Sequence, residues 1–170
     1  AIYKKGGYGS AIGVPVESPE EIITEITRLA RADAGIIKVM ASGIVSLREP
    51  GEITAGGFGR DELRFIVETA RENGLEVMAH ANGEAAIINA AEAGVRSVEH
   101  GFFMTEKALA SLQVNGVFWV PTAGALQRAA EQTDIGIDAK RFVERTIDEH
   151  LARVRQAYVM GVPLAVGTDA

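Results

Sequence analysis

Four side chains in this sequence have the types and places that site chemistry demands: His80, His100, Asp169 and Lys38. The two histidines end short apolar runs, EVMAH and SVEH. Neutral imidazole is the commonest protein ligand for zinc-type metals and titrates near neutral pH. Asp169 follows Gly167-Thr168 at the end of another apolar run. An ionised carboxylate there could ligate a cation or accept a proton. Lys38 lies between Ile36-Ile37 and Val39-Met40. An unpaired ammonium is costly to bury, so such a lysine is paired, deprotonated or modified. Its functional options are a Schiff-base amine or a carboxylated, metal-bridging lysine. Each group also has a plainer reading: a satisfied strand-end imidazole, a capping carboxylate, a lysine snorkelling to the strand edge.

These residues need elements that bring them together. The stretch from Leu75 to Gly101 reads as strand, helix, strand, with Asn82 and Gly83 opening the helix. That is the order of a parallel βαβ unit, which would set both imidazoles at one C-terminal sheet edge. The unit belongs to a repeat. Five times a helix ends in glycine and an apolar strand follows: AG-IIKVM, NG-LEVMAH, AG-VRSVEH, NG-VFWVPT and MG-VPLAVGTD. Counted from the glycine, His80, His100 and Thr122 fall at the sixth place and Asp169 at the eighth, so the period of a strand turns all four the same way. Lys38 falls at the third place, with the opposite parity, which a one-residue difference in its entry loop would repair. By the same count Glu99 faces the helices. Five consecutive repeats favour a (β/α) barrel segment over a doubly wound sheet.

The helices have clear signals. Ser18-Pro19-Glu20-Glu21 is a helix start with a capping box, and Ile22, Ile23, Ile26, Leu29 and Ala30 form its buried stripe. A second helix covers about Asp61 to Asn73, a third runs from Thr105 to about Val114, and a long amphipathic one carries Phe142, Val143, Ile147, Leu151, Val154 and Tyr158. His150 on that helix reads as solvent-exposed, and Phe118 and Trp119 as barrel core or wall. Residues 1–17, 41–59 and 123–137 show no regular element. Tyr8 and Arg48 lie in such glycine-rich connections, from which either could reach a substrate carboxylate or carbonyl.

The chain has 170 residues, enough for one core, and a formal net charge of −6. An acidic balance without basic clusters argues against a nucleic-acid partner. With no cysteine, any metal must use nitrogen and oxygen ligands. No apolar run reaches the roughly 18 residues of a membrane span, and the N-terminal residues lack the apolar core of a signal peptide, so we expect a cytoplasmic protein without a membrane partner.

Taken together, Lys38 in IKVMASG, His80 in MAHANG, His100 in SVEHG and Asp169 in GTDA resemble the metal-ligand motifs of the amidohydrolase superfamily, in its imidazolonepropionase-like and metal-dependent (prolidase-like) dipeptidase branch. The resemblance covers nearly the whole chain. It implies a (β/α)8 TIM-type barrel with a binuclear, usually zinc, divalent metal centre. Lys38 would be carboxylated and bridge the two metals. His80 and His100 would hold the second metal, and Asp169 would bind the first and shuttle a proton. The implied reaction is hydrolysis of a C–N bond in a small amide, peptide or cyclic amide substrate by a metal-activated hydroxide. His100 and Asp169 are then the candidate catalytic groups, with Arg48 and Tyr8 as candidate substrate contacts.

The sequence departs from the family at one point: it has no His-x-His pair, which the family's first strand carries to complete the first metal site. By that alignment the chain is a single partial α/β barrel domain over residues 1–170, holding about strands four to eight of a longer catalytic domain, and is weakly active or inactive alone. Open sheet edges invite self-association. Two alternatives arise from the same residues: a barrel enzyme with Lys38 as Schiff-base nucleophile, or a non-catalytic fragment that completes a barrel with a partner chain.

Overall fold

The computed structural model describes residues 1–132 and 134–169. It is an α/β arc: six parallel strands in the order β2-β1-β3-β4-β5-β6. Strands β3 (Ile36–Met40), β4 (Glu76–Ala81), β5 (Ser97–His100) and β6 (Phe118–Val120) fall where the glycine-led repeats put them. Between them stand helices α2 (Arg60–Glu72), α3 (Glu84–Ala93) and α4 (Glu106–Asn115), preceded by α1 (Pro19–Arg31). Ser18 caps α1 by accepting the Glu21 amide at 3.2 Å, and Thr105 caps α4 through the Ala108 amide. The residues after α3 and α4, Gly94 and Gly116, take the left-handed conformation that ends a helix without steric cost.

Residues 1–17, expected to be irregular, instead form β1 (Ile2–Lys4) and β2 (Val14–Val16). Ile2 pairs with Val39 of β3, so these residues extend the sheet beyond β3. These strands are three residues long and the glycines around them mask any period-two pattern. The second expected connection also contains an element, α5 (Ala123–Gln132), which leads into the long α6 (Ile137–Met160). The final apolar run makes a single parallel bridge, Leu164 to Trp119. The 41–59 segment holds one antiparallel bridge, Val45 to Ile53.

Helices α1 to α4 pack side by side on one face of the sheet. That face presents Ile37, Val39, Val77, Ala79, Val98 and Trp119, all buried against Ile26, Leu63, Ile66, Ile87, Leu109 and Leu112 of the helices. Each of the valines, leucines and isoleucines among them contributes about 1.5–3 kcal/mol by leaving water. Ile23 does not share this burial; it turns to the outer side of α1. The opposite face, which a closed barrel would enclose, carries the half-buried Lys38, Met78, Glu99, Phe118 and Val120. A smaller apolar cluster of Val45, Phe102, Leu126, Ala130 and Val143 ties the 41–59 loop, α5 and α6 together above the strand ends. Among the described residues no helix is long and apolar enough to cross a membrane.

Candidate active site

The strand register decides what faces the barrel interior. Lys38 pairs with Met78, and Met40 with His80, so Lys38 and His80 lie on the same face. The one-residue entry difference that Lys38 needs is present: β3 starts directly after Gly35, while Leu75 separates Gly74 from β4. Between β4 and β5 the register steps back by one, and His80 is level with Glu99 rather than His100. Glu99 therefore stands on the inner face, not toward the helices as its place after the glycine suggested. Its carboxyl accepts from Ser97 Oγ at 2.6 Å, and burial raises its pKa against the opposing pull of that hydroxyl and of Lys38.

His100 reaches the site by a different device. Strict alternation would place it level with Ala81, on the helix side. Its backbone instead takes a left-handed φ of 68°, and Gly101 follows at 69°. A side chain at Gly101 would meet the Trp119 indole nitrogen at 2.5 Å, so the crossing of Trp119 beneath this turn requires glycine. Thr122 and Asp169 also turn through positive φ, at 44° and 51°. Three of the strand-end residues singled out by the repeat thus leave their strands through conformations that non-glycine residues rarely adopt.

These turns gather the candidates around one cavity of about 560 Å3 lined by Tyr8, Lys38, Arg48, His80, His100 and Asp169. The imidazoles of His80 and His100 stand edge to face with centroids 4.6 Å apart, and the Tyr8 ring lies 5.4 Å from His80. His100 Nδ1 is 2.8 Å from Thr122 Oγ1 and 3.9 Å from Asp169 Oδ2. His80 Nε2 donates to the Gly43 carbonyl at 2.9 Å. Because a carbonyl only accepts, that nitrogen carries the proton and Nδ1 keeps its lone pair. Burial pushes both histidines below the ordinary imidazole range. For His100 the neighbouring His80 and Lys38 add to it and the pKa falls to about 3. Both rings are neutral at pH 7.

Other site residues carried no evident signal as such. Asn82, noted only as a helix opener, is buried at the rim: its Nδ2 donates to Gly43 O at 3.3 Å and its Oδ1 accepts the Phe102 amide at 3.0 Å. Its own amide donates to Ser42 Oγ. Asn82 thereby joins the 41–59 loop, β4 and the turn after β5. The apolar wall comes from Val45, Phe102 and Leu126, the last on the unexpected α5. His150, expected in solvent, is 2% exposed. It packs against Phe102 and Trp119 and hydrogen bonds the Pro121 carbonyl.

The profile of the amidohydrolase family matches residues 6–170. The chain belongs to the amidohydrolase family. Among similar proteins, the ochratoxinase of Aspergillus niger is 30% identical over 168 residues, 98% of this chain and 35% of that protein. A solved Xaa-Pro dipeptidase with bound methionine in the active site matches with a TM-score of 0.80 at 26% identity, over 99% of this chain and 46% of that one. A prolidase complexed with N-methylphosphonate-L-proline matches with a TM-score of 0.78 at 29% identity, over 94% and 40%. This amidohydrolase chain therefore spans less than half the length of these relatives, and its arc corresponds to part of their TIM barrel.

Amidohydrolases generally use divalent metals. The donor set here suits such an ion in kind: two neutral imidazoles, a half-exposed carboxylate and a lysine amine on one cavity, all nitrogen and oxygen. Among the described residues, no three His, Asp or Glu groups close on one point. His80 and His100 are the pair already in contact, with Asp169 next to His100.

Proposed function

We propose that this chain contributes the site of a metal-dependent hydrolase acting on C–N bonds of small dipeptides or N-acyl amino acids. The observation that carries the proposal is the convergence of Lys38, His80, His100 and Asp169, from four separate segments, on one cavity with the two imidazoles in contact. The names of the relatives, an ochratoxinase, a Xaa-Pro dipeptidase and a prolidase, support the substrate class. His80 and His100 would hold a divalent ion, zinc by the nitrogen-rich donor set, while Asp169 and a carboxylated Lys38 would offer oxygens toward a second, too few by themselves to keep it bound. Such an ion, when bound, polarises a carbonyl and acidifies water.

The chain's own groups do the rest. Asp169, beside His100 and open to the cavity, takes a proton from the attacking water and returns it to the leaving nitrogen as the C–O bond forms and the C–N bond breaks. Arg48 pairs with a substrate carboxylate as a charge-assisted donor, and Tyr8 offers its phenol next to His80. Val45, Phe102 and Leu126 shed water and receive the apolar part of the substrate. Lys38 would gain its carboxylate when its neutral amine adds to dissolved carbon dioxide, forming an N–C bond and releasing one N–H proton to solvent.

The test is turnover of a dipeptide and N-acyl amino-acid panel with zinc and bicarbonate. Because the chain spans less than half the length of these relatives, the reading expects weak turnover in the wild type and its loss to background in Asp169→Asn. Turnover that survives in Asp169→Asn, His80→Ala and His100→Ala alike would overturn it.

A further inference from the structure

His150 sits behind the site, not in it, and its environment argues for a specific task. It is buried on α6 with Val143 and Ala157, one heptad either side, where an aliphatic side chain would be the ordinary filler. Its Nε2 lies 2.9 Å from the Pro121 carbonyl, so Nε2 carries the proton. Its Nδ1 is then a bare acceptor. Among the described residues it is the buried side-chain polar atom left without a partner. A residue selected only to fill space would not bring an unmatched acceptor into the interior. The imidazole supplies one thing that leucine or phenylalanine cannot: the Nε2–H on Pro121.

The Pro121 carbonyl matters because it leads directly into Thr122. Proline has no N–H, so it cannot donate to the Leu164 segment, whose ladder bonds with β6 are both made by Trp119. Thr122 is a β-branched residue at a φ of 44°, and its Oγ1 holds His100 Nδ1. A second donor acts from the same side: Trp119 Nε1 donates to the His100 carbonyl at 2.9 Å. The Trp119 and His150 rings meet edge-on, with centroids 5.3 Å apart. Two side chains in contact thus bind the two carbonyls that flank the His100–Thr122 pair, where both backbones are left-handed.

We propose that His150 is a positioning residue: by fixing the Pro121 carbonyl it holds Thr122 Oγ1 on His100 Nδ1, so that Nδ1 is engaged and Nε2 is the ring nitrogen left for a ligand. The role rests on the reading of His100 as a ligand for its consequence in metal binding, though not for its structural effect. Long-range proton–nitrogen spectra of the histidine rings in the metal-free chain test the structural part. In the wild type, His150 should show protonated Nε2 and bare Nδ1; the opposite tautomer overturns the proposal without any variant. His150→Gln keeps a donor near Nε2 and should leave the His100 ring signals in place. His150→Phe keeps the shape and should shift them, as Thr122→Val should by removing the hydroxyl on Nδ1. Zinc titration then reads the consequence: affinity near wild type for His150→Gln and about 10–100-fold weaker for His150→Phe. A folded His150→Phe protein with unchanged His100 signals overturns the positioning role. A wild type that binds no zinc defeats the metal reading alone, and the ring spectra still decide the role of His150.

Discussion

The neutrality of His80 and His100 has a cost at acid pH. Burial holds both below the ordinary imidazole value of about 6.5, His100 at about 3, and His150 shifts the same way for the same reason. Between those values the unfolded chain binds protons that the folded chain refuses. Stability is therefore full above about pH 6.5 and is lost progressively as pH falls toward 3. Urea midpoints should decline from pH 7 through 5.5 to 4.5, and a midpoint flat over that range would contradict the buried neutral rings. Gly43 gives a second test at this scale. A methyl group there would collide with the Thr54 carbonyl, so Gly43→Ala must move the loop whose own carbonyl holds His80. Thermal melts should show a loss of about 1–3 kcal/mol together with a changed His80 ring signal. That His80, His100 and Asp169 share one cavity was legible, because histidines and an aspartate at repeated strand ends stand out against apolar sequence. Where the count from the glycine misled was Glu99, since register between strands is a tertiary property and a single step exchanges the two faces.

At the level of elements, the site depends on how α5 and α6 lean over the strand ends. Leu126 joins Val45, Phe102 and Val143 in the cluster that closes this roof. Leu126→Ala should lower stability by about 2–5 kcal/mol, measured by denaturant unfolding, and weaken binding of substrates with large apolar groups. The capped helices and the glycine-led strands were readable because caps and helix-ending glycines are local chemistry. Helix α5 was not, although its Ala, Leu, Gln and Glu residues are good helix formers, because Leu126 and Ala130 are its sole buried positions and make too narrow a stripe. The burial of His150 had a signal: Val143, His150 and Ala157 recur at intervals of seven, all on the buried face. Residue type outweighed position, since a histidine beside Glu149 looks solvated until the carbonyl it serves is known.

At the scale of the whole molecule, the sheet keeps an inner face that is half covered and an edge at β2. Lys38, Met78, Glu99, Phe118 and Val120 line that face, mixing chemistry with apolar surface. Exposed strand edges pair readily with other chains, so we expect self-association that grows with concentration. Light scattering after size exclusion, across a tenfold range of loading, should show mass rising above 18.0 kDa; a constant monomer mass would refute this. The central claim is that Lys38, His80, His100 and Asp169 are one metal-binding hydrolytic site. The most direct measurement is the number of zinc-type ions per chain in wild type, His80→Ala and His100→Ala proteins prepared without chelator. The account expects about one bound ion in the wild type, by the pairing of two imidazoles, and none in either variant. No ion in the wild type even after zinc and bicarbonate are added, or an ion kept by both variants, would contradict it.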